Sequence, residues 1–474
     1  MGEHRIVAVG NVVHWSKNWK TFHDFLFDYI KSVFGREWGA VEQKKPLVER
    51  HIVMRWNHEI GEYHKEVRKG APSGKVISTP STPVLRAYLN LAYNLYLMKH
   101  NAELQTALIA RLKNANESSF HGAYYETFVA AAFIKAGYDV AFENEQDGSA
   151  SHCEFAATSK TTKKKFSVEA KSRFRSGPIL DASKLKLGVR DKLEAALQKQ
   201  ANHTRVIFID VNMPETNTPP EKPAWAEPSL AEIRNVEQTM IAAEQDTPNA
   251  YVILTNYPYQ FDVPGGLQAL MEGFNIPEFK LGAQFPSLRA ALEARDRHAD
   301  IAAVFQSMQK HHEIPSTFDG EMPEVKFSSQ TPASELKIGQ RYLVPNETGA
   351  EQPGELENAV VMEPERKAYG VYRMDDNRRV IVSTPLTDDE FAAYKKYPET
   401  FFGTVDKNAG RQCRDIIDWY DFFYESYQLT SKEKLLEFMK DAVDLDSLKN
   451  LSQEDLAKTY CERLAYGVDR QPRR

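Results

Sequence analysis

The chain has 474 residues, long enough for two to four domains, and its 42% hydrophobic and 27% charged content belong to a soluble globular protein. No apolar run approaches the length of a membrane span and the N-terminus lacks a signal-peptide core, so a membrane partner is not expected and a cytoplasmic setting is. Cys153, Cys413 and Cys461 are too far apart for a zinc spacing and odd in number, which argues against a disulfide framework and for a reducing compartment; the net charge of −6 does not by itself advertise a nucleic-acid binder.

Residues 1–117 read as a mainly helical N-terminal domain. Aromatic and aliphatic residues recur at three- and four-residue spacing over Trp19–Val33, Leu47–Arg68 and Pro83–Lys113, which predicts three helices. Tyr88, Leu91, Ala92, Leu95 and Tyr96 form a wide apolar stripe, read as core. Seven of the 13 histidines lie here, among them His23, His51, His58 and His64, and they read as surface or partner-contact residues without metal spacing. This region holds 17 Lys and Arg against 11 Asp and Glu, whereas residues 118–260 hold 16 against 18 and the remainder 27 against 37. The basic excess suits recognition of nucleic acid or of another subunit, and ordinary scatter accounts for it equally well.

The chemistry concentrates in residues 118–314. A helix is expected over Tyr124–Ala136 behind a Ser118-Ser119 N-cap, ending at Gly137. Strands follow at Tyr138–Phe142, Cys153–Thr158 and Phe166–Arg173, with a lysine-rich turn (Lys160, Lys163–Lys165) between the last two. Then come a helix at Asp191–Ala201, a strand at Arg205–Val211, a helix at Leu230–Ala243 and a strand at Tyr251–Thr255. Helices alternating with buried strands imply an α/β fold with a central mixed sheet covered on both faces. Successive side chains alternate along a strand, so Cys153 and Phe155 should face one way and Glu154 the other. Val168 and Ala170 should enter the core while Glu169 and Lys171 share the opposite face. Glu126, from the preceding helix, completes three carboxylates and one ammonium. Such a group suits Mg²⁺, which takes hard oxygen ligands, keeps several waters and lowers the pKa of a bound water. A neighbouring lysine orients that water and offsets charge in the transition state of phosphodiester hydrolysis. The competing reading makes Glu169 and Lys171 a surface ion pair on a solvated sheet face. His152, two residues before Glu154, is either an assisting base or a chance neighbour. The lysine turn is either a phosphate contact or a solvated hairpin tip.

Gly122 before Glu126, Gly137-Tyr138, Asp147-Gly148, Glu154 and Val168-Glu169-Ala170-Lys171-Ser172 together resemble the PD-(D/E)xK, or restriction-endonuclease-like, nuclease superfamily. The pattern is similar to the branch holding type IV restriction enzymes and archaeal Holliday-junction resolvases, over roughly residues 118–260. The resemblance implies a restriction-endonuclease-like core in which Glu154 and Glu169 hold Mg²⁺, with Mn²⁺ able to substitute. The carbonyl of Ala170 would be a further ligand, and Glu126 would bind directly or through water. Lys171 would position the attacking water, and Gln198 or Gln200 would match a glutamine found near this site in relatives. This chain has Cys153-Glu154 where the family usually has Asp, often after Pro. Other copies of the tripeptide, such as Glu42-Gln43-Lys44 and Glu278-Phe279-Lys280, lack the upstream carboxylate strand and helix.

Beyond this, Ser287–His311 is expected to be helical and to pack on the nuclease domain, and residues 315–333 read as a linker. Residues 334–474 read as a small β module (strands near Arg341–Val344, Ala359–Met362, Ala368–Tyr372 and Arg379–Val382) followed by helices from Asp415, Ser431 and Ser452. Two functional readings follow: a metal-dependent endonuclease acting on DNA, in a bacterial restriction or defence setting that the resemblance alone implies, or a non-catalytic nucleic-acid-binding or scaffolding subunit. A homodimer or a partner protein subunit is compatible with both.

Overall fold

Two short strands, β1 (Arg5–Val9) and β2 (Val12–Ser16), open the chain as an antiparallel hairpin ahead of the mainly helical region, a pairing that the sequence reading did not include. The structure is a computed structural model that describes residues 5–69, 79–102, 104–142, 153–175, 186–215, 221–257, 266–310, 341–345, 351–374, 378–396 and 415–469, with a few isolated positions between them. Asp147-Gly148, His152 and most of the expected linker lie outside the described residues.

Helix α1 (Phe22–Phe34) starts at Thr21, whose hydroxyl accepts from the Asp24 N–H while the Asp24 carboxylate accepts from the Thr21 N–H, a reciprocal capping box. Helices α2 (Arg36–Gln43), α3 (Ile52–Val67), α4 (Pro83–Asn101) and α5 (Thr106–Leu112) follow. The predicted helix over Pro83–Lys113 is therefore two, because the chain turns extended at Ala102. Helix α6 (Glu117–Lys135) begins seven residues before the expected start. Its cap is Asn116, whose side chain accepts from the Ser118 and Ser119 N–H groups, and the chain leaves it through Gly137 at φ +84°.

The strands β3 (Tyr138–Phe142), β4 (Phe155–Ser159), β5 (Lys165–Ser172), β6 (Thr204–Asp210), β7 (Ala250–Asn256) and β8 (Gln268–Phe274) form one six-stranded mixed sheet in chain order. The β5–β6 and β6–β7 pairs are parallel and the others antiparallel. Helix α7 (Val189–Leu197) connects β5 to β6, and α8 (Ala226–Ala242) connects β6 to β7. Alternation sorts the strands onto two cores. Phe155, Phe166, Val168, Phe208 and Ile253 pack with α6 and the N-terminal helices, whereas Ile207, Ile209, Val252 and Leu254 pack with α7 and α8. Residues 1–117 share the first of these cores, so no boundary between compact units falls at 117.

The expected helical stretch Ser287–His311 divides into α9 (Leu288–Arg297) and α10 (Ala299–Lys310). Ile301, Val304 and Met308 of α10 join the core beneath α6, whereas Leu288 and Leu292 of α9 pack instead with C-terminal helices. The chain accordingly forms two compact units, Met1–Leu281 with Asp300–Gly403, and Gly282–Ala299 with Thr404–Arg474. The larger unit also contains a second, four-stranded antiparallel sheet of β9 (Arg341–Pro345), β10 (Glu351–Met362), β11 (Lys367–Met374) and β12 (Arg379–Pro385), followed by α11 (Asp388–Lys396). The smaller unit continues with α12 (Ile416–Tyr427), α13 (Lys432–Phe438), α14 (Leu445–Leu448) and α15 (Gln453–Asp469). Asp415, Ser431 and Ser452 accept from helix N–H groups at the expected starts. Among the described residues no helix is long and apolar enough to cross a membrane.

Phe133 ties this arrangement together: it is fully buried on α6, with edge-on ring contacts to Tyr138, Phe155 and Phe208 of three different strands. Phe133→Ala should cost about 3–5 kcal/mol, the usual loss for truncating a buried Phe. Denaturant unfolding followed by tryptophan fluorescence measures it; a loss below about 1 kcal/mol would show that α6 is not anchored through this ring.

Candidate active site

The site begins at the end of the β4–β5 ladder. That ladder pairs Phe155 with Val168, yet the Glu154 N–H also donates to the Val168 carbonyl, at 3.0 Å. The paired ladder ends at Phe155, and Glu154 stands just ahead of it, held by this one bond. Phe155 joins the core under α6, but Cys153 does not follow it. Burial first, and then the Glu169 carboxylate, push the Cys153 thiol up to about 12. Glu154 is raised by burial and by Glu169, against the opposing pull of Lys171, Arg111 and Lys199. Cys153 and Glu154 are therefore both within electrostatic reach of Glu169, and the simple alternation expected for Cys153 does not hold.

Glu169 lies in β5 opposite Ile207 of β6, and Lys171 lies opposite Ile209, both on the face covered by α7. Glu169 is only 1% exposed, so the face is not solvated and the surface ion-pair reading does not describe it. The Lys171 ammonium contacts the Glu169 carboxylate, and the Lys199 ammonium stands 3.6 Å from the same oxygen. Despite these contacts neither carboxylate oxygen accepts a hydrogen bond of good geometry among the described residues. A buried carboxylate held by charge alone is costly to keep and is chemically ready to bind a cation. Ala170 sits between the two charged residues, opposite Phe208 and half-buried against the α6 core.

Glu126 on α6 is also buried, and the Arg111 guanidinium of α5 holds it at 2.7 Å. Arg111 also lowers the Glu154 carboxyl, so it is the link between the helix carboxylate and the strand carboxylates. The structure thus brings Glu154, Glu169 and Lys171 into one electrostatic group, and places Glu126 beside it through Arg111. Among the described residues no three His, Cys, Asp or Glu side chains stand close enough together to make a ready metal cage.

Beyond Lys171, sequence reasoning missed the cations of this site. Gln198 and Gln200, matched to a family glutamine, are exposed, and it is Lys199 between them that reaches Glu169. Its signal was its place just past the C-terminal end of α7, where cations are favoured. Lys192 of the same helix is lowered by burial and by its neighbours Lys171 and Arg173. Arg173 in turn lies against Gly188, the α7 cap at φ +70°, where a Cβ would collide with the guanidinium. The lysine turn behaves as a solvated tip: Lys160 pairs with Asp139 at 3.5 Å and Lys164 approaches Asp300 at 4.0 Å. Nor are the N-terminal histidines uniformly superficial. His51 is buried as the N-cap of α3, and burial lowers His14, His23 and His64, whereas His58 and His100 are exposed.

A second buried polar group, absent from the sequence reading, lies where β6 and β7 end. Asp210 Oδ1 accepts from the Thr255 hydroxyl at 3.0 Å and the Tyr257 N–H at 2.8 Å. The Tyr125 hydroxyl meets Thr255 Oγ1 at 2.7 Å, and the fully buried His121 ring places Nε2 4.0 Å from Asp210 Oδ2. Burial raises the Asp210 carboxyl to about 7 despite its hydrogen bonds and the nearby Arg175, and burial lowers His121 to about 3. Asp210 pairs laterally with Ser172, one residue beyond Lys171, but projects to the α6 side of the sheet.

No family model, curated protein or solved structure matches this chain.

The Asp210 displacement has a definite sign. Its folded pKa is above the unfolded value near 4, so the stability it contributes is fully present below about pH 4 and is lost as pH rises through about 7. At about 1.4 kcal/mol per pH unit of displacement, the loss is at most roughly 4 kcal/mol. Asp210→Asn keeps the Oδ1 acceptor and removes the charge. The variant should gain on the wild type steadily between pH 5 and pH 8 in denaturation midpoints, whereas parallel curves would show that Asp210 does not titrate in this range.

Proposed function

We propose that this chain is a metal-dependent endonuclease that hydrolyses phosphodiester bonds of DNA, on a restriction-endonuclease-like core. The observation that carries the reading is Glu169: a buried β-strand carboxylate that accepts no hydrogen bond among the described residues, within electrostatic reach of Glu154 and flanked two residues on by Lys171. The order of helix carboxylate, strand carboxylate and Glu-Ala-Lys strand agrees with the PD-(D/E)xK pattern, and the parallel β5–β6–β7 core behind it is compatible.

The residues fit a hard divalent cation, Mg²⁺ with Mn²⁺ able to substitute. Glu154, Glu169 and the Ala170 carbonyl would hold it, with Glu126 bound directly or through water. Bound there, such an ion supplies a water of lowered pKa and polarises the phosphate. Lys171, released from charge pairing with Glu169, would orient the attacking water and offset developing negative charge. Arg111, Arg173, Lys192 and Lys199 surround the carboxylates with positive charge suited to a polyanion. Glu154 must be ionised to act as ligand, and its raised carboxyl makes metal affinity fall as the solution is acidified. The three free cysteines agree with a cytoplasmic setting. A restriction or defence role comes from the resemblance alone, and a homodimer would supply the two sites that a double-strand cut requires.

The non-catalytic reading has one observation in its favour: Glu126 and Glu169 are each already matched by a cation, as in a structural clamp. Plasmid cleavage separates the two. With Mg²⁺ or Mn²⁺ the enzyme should nick or cut plasmid DNA, stop with EDTA, and lose at least about a hundredfold in rate as Glu169→Ala or Lys171→Ala with unchanged circular dichroism. DNA binding without metal-dependent cleavage by the wild type, indifferent to both substitutions, would favour the clamp.

A further inference from the structure

Positive charge follows helix α7 along the face of β5 that holds Glu169. Lys199, just past the end of α7, stands 3.6 Å from a Glu169 carboxylate oxygen, and Lys171 contacts the same oxygen. Two residues beyond Lys171, the Arg173 guanidinium lies over Gly188, the residue that caps the start of α7. Lys192, near the start of the same helix, is close enough to both that Lys171 and Arg173 add to the effect of burial in lowering its ammonium, against the pull of Asp191. The cations thus run in order: Lys199 and Lys171 at the carboxylates, then Lys192, then Arg173. From Glu169 to Arg173 the chain covers about 13 Å, at roughly 3.3 Å per extended residue.

This row fits an extended anion. Like charges gathered on one face repel one another, and an anion that spans them relieves the repulsion. The Lys171 and Lys199 side chains keep 21% and 24% exposure, so they are open to contact yet partly shielded from water and salt. Two nearby acids face Arg190 instead: Glu194 pairs with its guanidinium at 2.9 Å and Glu232 accepts its N–H at 2.8 Å. A single phosphate is too short for the row. Each strand of a duplex carries one phosphate per 3.4 Å of axis, so about 13 Å meets several.

We infer that α7 is the rail along which one strand of the nucleic acid lies, with Lys199 and Lys171 at the phosphate to be cut and Lys192 and Arg173 on the next phosphates of that strand. These are contacts to the backbone, so they position the strand and carry no sequence preference. The identity of the cut phosphate rests on the nuclease reading, whereas the grip of Lys192 and Arg173 on the strand does not.

The test is fluorescence anisotropy of a labelled short DNA, as duplex and as single strand, titrated with the full chain in EDTA between about 50 and 200 mM salt. Arg173→Met and Lys192→Met should each weaken binding about fivefold or more at about 50 mM salt and lower the slope of log affinity against log salt by about one, and the double variant by about two. Arg173→Lys and Lys192→Arg keep the charge and should keep the wild-type slope, as should Lys160→Met at the hairpin tip. Should Arg173→Met fail to fold by circular dichroism, Lys192→Met decides alone, since burial already disfavours its ammonium. No binding of either DNA overturns the rail. So does a slope that the Met variants leave unchanged, or an equal fall in Lys160→Met. A wild type that binds with the expected slopes but never cleaves with Mg²⁺ or Mn²⁺ sinks the nuclease reading and leaves the rail standing; one that cleaves, with slopes unmoved by the Met variants, sinks the rail alone.

Discussion

The arrangement rests on a carboxylate buried in a sheet. Glu169 occupies a central strand whose two faces are both covered, and the ammonium groups of Lys171 and Lys199 meet it there. Burial of an ion in that position is tolerated only with opposite charge nearby. Lys171 and Lys199 supply it, one from the same strand and one from beyond the next helix. Glu154, just ahead of β4, adds a second carboxylate, and Arg111 couples in a third from α6. The local charge is therefore nearly balanced with no hydrogen bond to Glu169 among the described residues.

Helix α6 is the element through which these features communicate. It is buried along almost its whole length, which is why its apolar residues do not sort to one side. Its first turns carry His121 and Tyr125 toward Asp210, its middle carries Glu126 toward Arg111, and its later turns carry Phe128, Ala132 and Lys135 toward a cavity also lined by α4 and α10. The Phe133 ring fixes its height over three strands. Ionisable groups along one rigid helix are held in register by packing, with no need for each to be tethered separately.

The sequence made the central strands legible because β5, β6 and β7 are apolar runs that only a doubly covered sheet can bury. It made Glu126, Glu154, Glu169 and Lys171 legible as candidates because only that Glu-x-Lys lies within such a run. It concealed β8, whose polar first residue and buried Glu272 disguise an edge partner of β7; Glu272 is paired with Arg234 at 2.9 Å, a contact no local pattern encodes. It concealed the start of α6, since Asn116 and Ser118 are both good caps and burial of Phe120 and His121 decides between them. That Glu154 stands just outside the paired ladder was out of reach because it depends on where strand pairing begins. Lys199 was hidden for a related reason: position along a helix does not reveal which strand its end overlooks. Asp210 and His121 are 89 residues apart in the chain and meet only once the sheet is complete.

Crystals of the protein soaked in manganese, measured at the manganese absorption edge, test the central claim most directly. The account predicts one anomalous peak coordinated by Glu154 and Glu169, with the Lys171 ammonium displaced from the Glu169 carboxylate. Well-ordered side chains with the Lys171–Glu169 contact intact and no peak between the carboxylates would contradict it.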